Sequence, residues 1–86
     1  FEEPDVDTFY ALRLAYNALK EGGIKPTLFN SADEAAVDLF MQGKLSYLGI
    51  SEAIDKAMTS VKNVENPSVE DIFAADKAAR EIVYNL

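Results

Sequence analysis

Apolar residues recur along this chain every three or four positions, in four runs separated by glycine, proline and polar clusters. That is the period of a helix with one inward face; no stretch sustains the two-residue alternation of a strand. The first run predicts a helix over Thr8 to Glu21, with Phe9, Leu12, Tyr16 and Leu19 on one face. Asp7 is placed to cap it, accepting from the orphan amides of the first turn. Gly22-Gly23 ends it, because glycine tolerates the left-handed conformation needed just past a helix.

The second run, Pro26 to Gln42, carries Leu28, Ala32, Ala35, Ala36, Leu39 and Phe40. Ser31-Ala32-Asp33-Glu34 has the form of a capping box, in which Ser31 and Glu34 each satisfy an amide. The segment therefore reads as a short turn over Pro26 to Phe29, a break near Asn30, and a main helix from Ala32 to Gly43. The third run, Leu48 to Val61, has the cleanest stripe: Ile50, Ala53, Ile54, Ala57, Met58 and Val61. Asn63 to Pro67 is a polar loop. A second capping box, Ser68-Val69-Glu70-Asp71, opens the last helix, which runs to the end with Val69, Ile72, Phe73, Ala79, Val83 and Leu86 on one face. Four short helices cannot bury such stripes singly, so the expected fold is all-α, a four-helix bundle-like small domain over residues 1–86. Residues 1–7 are expected to be linker.

Composition narrows the chemistry. The net charge is -7, from 15 acidic and 8 basic side chains in 86 residues, and no basic stripe is interleaved with aromatics, so nucleic acid is excluded as a partner. There is no cysteine and no histidine, which removes thiol chemistry, the commonest base near neutral pH and the commonest transition-metal ligand. No apolar run reaches the 18 residues of a membrane span. Phe1-Glu2-Glu3-Pro4 lacks the basic and apolar regions of a signal peptide. The chain does not begin with Met, which suggests a piece of a longer protein.

Few residue groupings suggest a reaction. Glu34 and Asp38, four apart, can hold a hard cation or work as an acid–base pair, but an exposed acidic face is the simpler reading. Asp5 and Asp7 fail as a calcium loop, since Phe9 and Tyr10 stand where an oxygen ligand and a glycine are needed. Gly22 to Thr27 lacks the spacing of a phosphate loop and reads as a helix–helix turn. No Asp-Ser pair exists to carry the prosthetic arm of an acyl carrier. Asp76 intrudes on the apolar stripe of the last helix, where a carboxylate must be paired; Arg80, one turn on, or a neighbouring turn can supply the partner. Asn30 reads as a backbone-bonding residue at the break, and the hydroxyls of Tyr10, Tyr16, Tyr47 and Tyr84 need partners wherever they are buried.

The run Gly23-Ile24-Lys25-Pro26-Thr27-Leu28-Phe29-Asn30-Ser31-Ala32-Asp33-Glu34-Ala35-Ala36-Val37-Asp38-Leu39-Phe40 resembles a signature of the 1-deoxy-D-xylulose 5-phosphate reductoisomerase family. There the stretch commonly reads glycine-threonine-x-proline, then leucine-asparagine-alanine-alanine-asparagine-glutamate, then a small and apolar run ending in phenylalanine. Ala11-Leu12-Arg13-Leu14-Ala15-Tyr16 is similar to the family's opening helix. Pro67 to Asp76, followed by Ala79-Arg80, resembles its closing one. Ile24, Phe29, Ser31, Asp33 and Gly49 depart from the usual residues, where threonine, leucine, alanine, asparagine and aspartate are expected.

The resemblance implies the C-terminal helical domain of an enzyme that isomerises and reduces 1-deoxyxylulose 5-phosphate to methylerythritol 4-phosphate in non-mevalonate isoprenoid synthesis. The implied parent uses NADPH with Mg²⁺ or Mn²⁺ and is a homodimer, cytoplasmic in bacteria or in the plastid stroma of a plant. It also implies that catalytic, cofactor-binding and metal-binding residues lie in upstream segments, so none is assigned in this chain and no cofactor is expected to bind it. Asn30, Ser31, Glu34 and Asp76 are assigned structural roles. The implied partner is the catalytic domain of the same parent chain, on which this domain would pack as one arm of a V-shaped subunit. The alternative is a free-standing acidic helical interaction module that offers a groove to a partner helix.

Overall fold

A computed structural model describes the backbone of residues 6–86 and the side chains of residues 10–86. It holds four helices, α1 (Val6–Glu21), α2 (Lys25–Met41), α3 (Tyr47–Ser60) and α4 (Val69–Tyr84), and no strand among the described residues. The all-α expectation is met. Helix α1 already includes Val6 and Asp7, so Asp7 lies inside the helix and not at its cap. The rest of the expected linker lies outside the described residues, as does Asp5.

Local chemistry sets the other boundaries. Between α1 and α2, Gly22 and Gly23 both take left-handed backbone, with φ of 67° and 62°. A Cβ on Gly23 would stand 2.2 Å from the Val64 carbonyl oxygen, so this turn is pressed against the loop after α3. The same loop caps α2: the Ile24 amide donates to Asn63 Oδ1 at 3.0 Å. At the far end of α2, Gly43 and Lys44 donate to the Phe40 and Leu39 carbonyls, a Schellman closure that satisfies carbonyls left open by the last turn. Ser46 caps α3 by accepting from the Gly49 amide at 3.0 Å. At α4 the expected capping box is present: Ser68 Oγ accepts from the Asp71 amide at 3.1 Å, and Asp71 Oδ2 accepts from the Ser68 amide at 3.0 Å.

The capping box expected at Ser31 is absent. Helix α2 runs unbroken from Lys25 to Met41, with no interruption at Asn30. Ser31 lies one and a half turns inside the helix, where its amide already has an intrahelical partner, and its buried side chain is drawn to α4 instead.

Helix α2 is the centre of the domain. It packs on α1, α3 and α4, whereas among the described residues α1 and α4 do not meet. The buried apolar set comprises Leu14, Ala18, Ile24, Leu28, Ala32, Ala35, Ala36, Ala53, Ile54, Ala57, Met58, Ala75, Ala79 and Val83. Eight of these fourteen are alanine, so the helices meet through their smallest side chains and approach closely. The larger members fill the remaining space, and burying Leu28 or Ile54 contributes about 2 kcal/mol each.

This alanine seam overturns two of the expected faces. On α1 the inward residues are Leu14 and Ala18, while Leu12, Tyr16 and Leu19 are 60%, 65% and 74% exposed. On α4 Ala79 and Val83 point inward as expected, but Ala75 joins them, and Val69, Ile72, Phe73 and Leu86 face outward. The shape explains it. The domain measures 43 × 28 × 16 Å, less than two helix diameters in its thinnest direction, so a helix buried on one side shows its other side to the surroundings. Helix α3 follows its expected stripe, with Ala53, Ile54, Ala57 and Met58 buried and Ile50 and Val61 half-buried against them.

Candidate functional site

Two surfaces gather the residues of interest. The first is the seam between α2 and α4, where Ser31, Glu34 and Asp38 face Asp76, Arg80 and Tyr84. Residues three to four apart share a helix face, so the two triplets run alongside each other. Ser31 Oγ donates to Asp76 Oδ1. Arg80 Nε donates to the same Oδ1 at 2.9 Å, and its Nη2 donates to Glu34 Oε1 at 2.6 Å. One turn on, the Tyr84 hydroxyl donates to Asp38 Oδ2 at 2.7 Å.

The electrostatics follow from these bonds. The Ser31 hydroxyl, and then Arg80, hold the Asp76 carboxyl below the usual carboxylate value against a modest cost of burial. Tyr84, Gln42 and Lys44 do the same for Asp38, and Asp38 in turn raises the Tyr84 phenol. Glu34 and Asp76 raise the Arg80 guanidinium. The bonds favour the charged forms of Asp76, Asp38 and Arg80 and the neutral phenol of Tyr84, and together they tie the two helices. Asp76 thus meets Arg80 as its place in the sequence anticipates. Glu34 pairs across the seam instead of closing a cap. Glu34 and Asp38, read in the sequence as neighbours on one acidic face, each turn to α4.

Asn30 stands apart from the seam. It is exposed, beside Pro26, Thr27, Ile72 and Phe73, in a shallow hollow that the seam borders at Ser31 and Asp76. The tyrosines divide as burial dictates. Tyr10, half-buried, bonds Asp55, which raises its phenol; Tyr16 is exposed; Tyr47 packs edge-on to Phe40.

The second surface was not legible in the sequence. Leu12 and Ala15 of α1, Phe29, Asp33 and Val37 of α2, and Ile50 of α3 wall an open groove of about 460 Å³. Its lining is mostly apolar, with Ser51, Tyr47 and Asp33 the residues that bring polar atoms; the Asp33 carboxyl is pushed up by burial and by the neighbouring Glu34 charge. Leu12 was expected in the core. The signal that could have placed it outside is the run of alanines at 11, 15 and 18, which offers α1 a second face of small side chains.

Neither surface fits a divalent metal. Among the described residues no three of His, Cys, Asp and Glu are grouped to hold one, and Glu34, Asp38 and Asp76 are each bonded to Arg80 or Tyr84. No described helix is long and apolar enough to cross a membrane.

A helical domain built on a central α2, cross-linked to α4 by side-chain bonds and leaving a mostly apolar groove open, defines a small all-α domain. Residues 1–82 match the family described as the DXP reductoisomerase C-terminal domain, and the chain belongs to that family. It is 47% identical over 81 residues to the 1-deoxy-D-xylulose 5-phosphate reductoisomerase of Caldanaerobacter subterraneus subsp. tengcongensis, covering 94% of this chain and 21% of that one. The enzyme of the same name from Thermoanaerobacter pseudethanolicus is 47% identical over the same shares, and that from Clostridium botulinum 42%. The chain therefore spans about one fifth of the length of the relatives it matches.

Proposed function

We propose that this domain supports the active site of an NADPH-dependent 1-deoxy-D-xylulose 5-phosphate reductoisomerase by packing on the catalytic part of the same polypeptide. The observation that carries this is the outward apolar surface of a chain matching one fifth of its relatives' length: Leu12, Tyr16 and Leu19 on α1, beside the groove. A continuous apolar surface on a small domain marks a place where something else packs.

In this reading the domain does no chemistry. It stiffens the wall of the site and limits the entry of water, while NADPH and Mg²⁺ or Mn²⁺ are held upstream, in a homodimeric parent. Glu34 and Asp38 of α2 bond across to α4, which supports placing the metal elsewhere.

Deleting the domain from the full-length enzyme tests this. Turnover, followed by NADPH oxidation, should fall by about 100-fold or more, the scale expected when reacting groups lose their alignment, while NADPH still binds. Calorimetry of the 86-residue chain with NADPH should show no binding. Unchanged turnover, or micromolar binding to the chain alone, would refute the reading.

A further inference from the structure

Among the described residues, two open surfaces with largely apolar linings differ in form. The one around Phe73 is a shallow hollow. The other, between α1, α2 and α3, is a groove of about 460 Å³ walled by three helices. Asp33 stands in its lining without a hydrogen bond or ion pair among the described residues, half-buried and beside the like charge of Glu34. A carboxylate withdrawn from water and left unpaired is unfavourable, and a cation brought to it relieves the cost.

We propose that this groove seats a segment of the parent polypeptide lying upstream of Phe1, which lays apolar side chains on Leu12, Ala15, Val37 and Ile50 and brings one lysine or arginine to Asp33. This rests on the supporting role proposed above and names the contact through which it works. Three observations select this occupant. Four fifths of the relatives' length lies outside the matched region, so the parent has ample chain to supply it. Upstream residues join at the N-terminal end of α1, and the middle of α1 forms one wall of the groove through Ala11, Leu12 and Ala15. A segment tethered there meets the groove at an effective concentration of about millimolar, which a separate partner does not have. Finally, an apolar lining with one unpaired carboxylate, on a chain of net charge -7, is complementary to an apolar segment bearing a positive charge.

The test uses the full-length enzyme with a photoreactive benzophenone amino acid at Val37 in the groove or, as control, at Phe73. The Val37 probe should cross-link within one polypeptide, to an upstream peptide containing Lys or Arg. Asp33→Asn should then speed hydrogen exchange around Leu12 and in that peptide by about tenfold, with the amides around Phe73 unchanged. Cross-linking of Val37 to a second copy or to another protein would overturn the proposal, as would an upstream peptide without a basic residue. Upstream cross-links from Phe73 alone would overturn the groove assignment and leave the supporting role standing. The absence of intramolecular cross-links from both positions would overturn both.

Discussion

Asp76, Glu34 and Ser31 converge through one guanidinium and one hydroxyl, and their worth depends on pH. Because the folded Asp76 carboxyl lies below its ordinary value, its contribution is complete above about pH 4, the unfolded aspartate pKa, and is lost as pH falls through the lower folded value. Asp38 acts in the same direction, and Asp33, raised by burial, acts against them. The side chains are partly exposed, so water screens much of the effect. Asp76→Asn should flatten the loss of stability between about pH 4 and pH 2, as followed by the urea midpoint at each pH. Glycine positions give a sharper residue-scale contrast. Gly22 and Gly23 share nearly the same backbone, but a Cβ on Gly22 meets open space and one on Gly23 meets the Val64 carbonyl. Gly22→Ala should cost about 1 kcal/mol for the left-handed strain alone, and Gly23→Ala clearly more, measured by denaturant unfolding. At Gly49 a Cβ would lie 2.7 Å from Leu45 Cδ1, the end of a flexible side chain that can shift aside, unlike the Val64 backbone at Gly23.

At the scale of the element, local signals served where the chain has no tertiary competitor. Ser68 and Asp71 form the box their spacing predicts because both are exposed and bond only each other's backbone. Ser68→Ala should cost about 1 kcal/mol in thermal or urea unfolding, with the helix fraying from Val69. The same Ser-x-x-acid spacing at Ser31 failed. There the helix has an earlier start at Lys25, with Asn63 supplying the cap from 39 residues away, and the hydroxyl and carboxylate have partners on α4. Spacing does not say which of two candidate starts a distant loop will cap. The faces of α1 and α4 failed for a different reason. Large apolar residues dominate any stripe drawn from the sequence, yet the contact between helices is made by alanines, whose small size lets the backbones approach.

For the whole molecule, a thin slab of 86 residues leaves little reserve. A domain this small buries only about 60–65% of its unfolded surface, so each large core residue carries a sizeable part of the total. Leu28, fully buried on central α2, is the most sensitive position: Leu28→Ala should cost about 3 kcal/mol and shift the melting curve of the isolated chain strongly. The exposed stripe of α1, with the groove beside it, is left uncovered by the other described residues of so thin a slab.

The sequence by itself determined the four helices, most of their ends, the α3 core stripe, the Ser68 box and the family, because these rest on period, local hydrogen bonding and residue order. Only the tertiary structure decided which face of α1 and α4 turns inward, that α2 runs unbroken through Asn30, and that Ser31 and Glu34 reach across to α4. It alone disclosed the groove holding Asp33. The physical reason is the same in each case: these outcomes depend on which side chains from distant parts of the chain compete for the same face, and that competition is settled only when the helices meet.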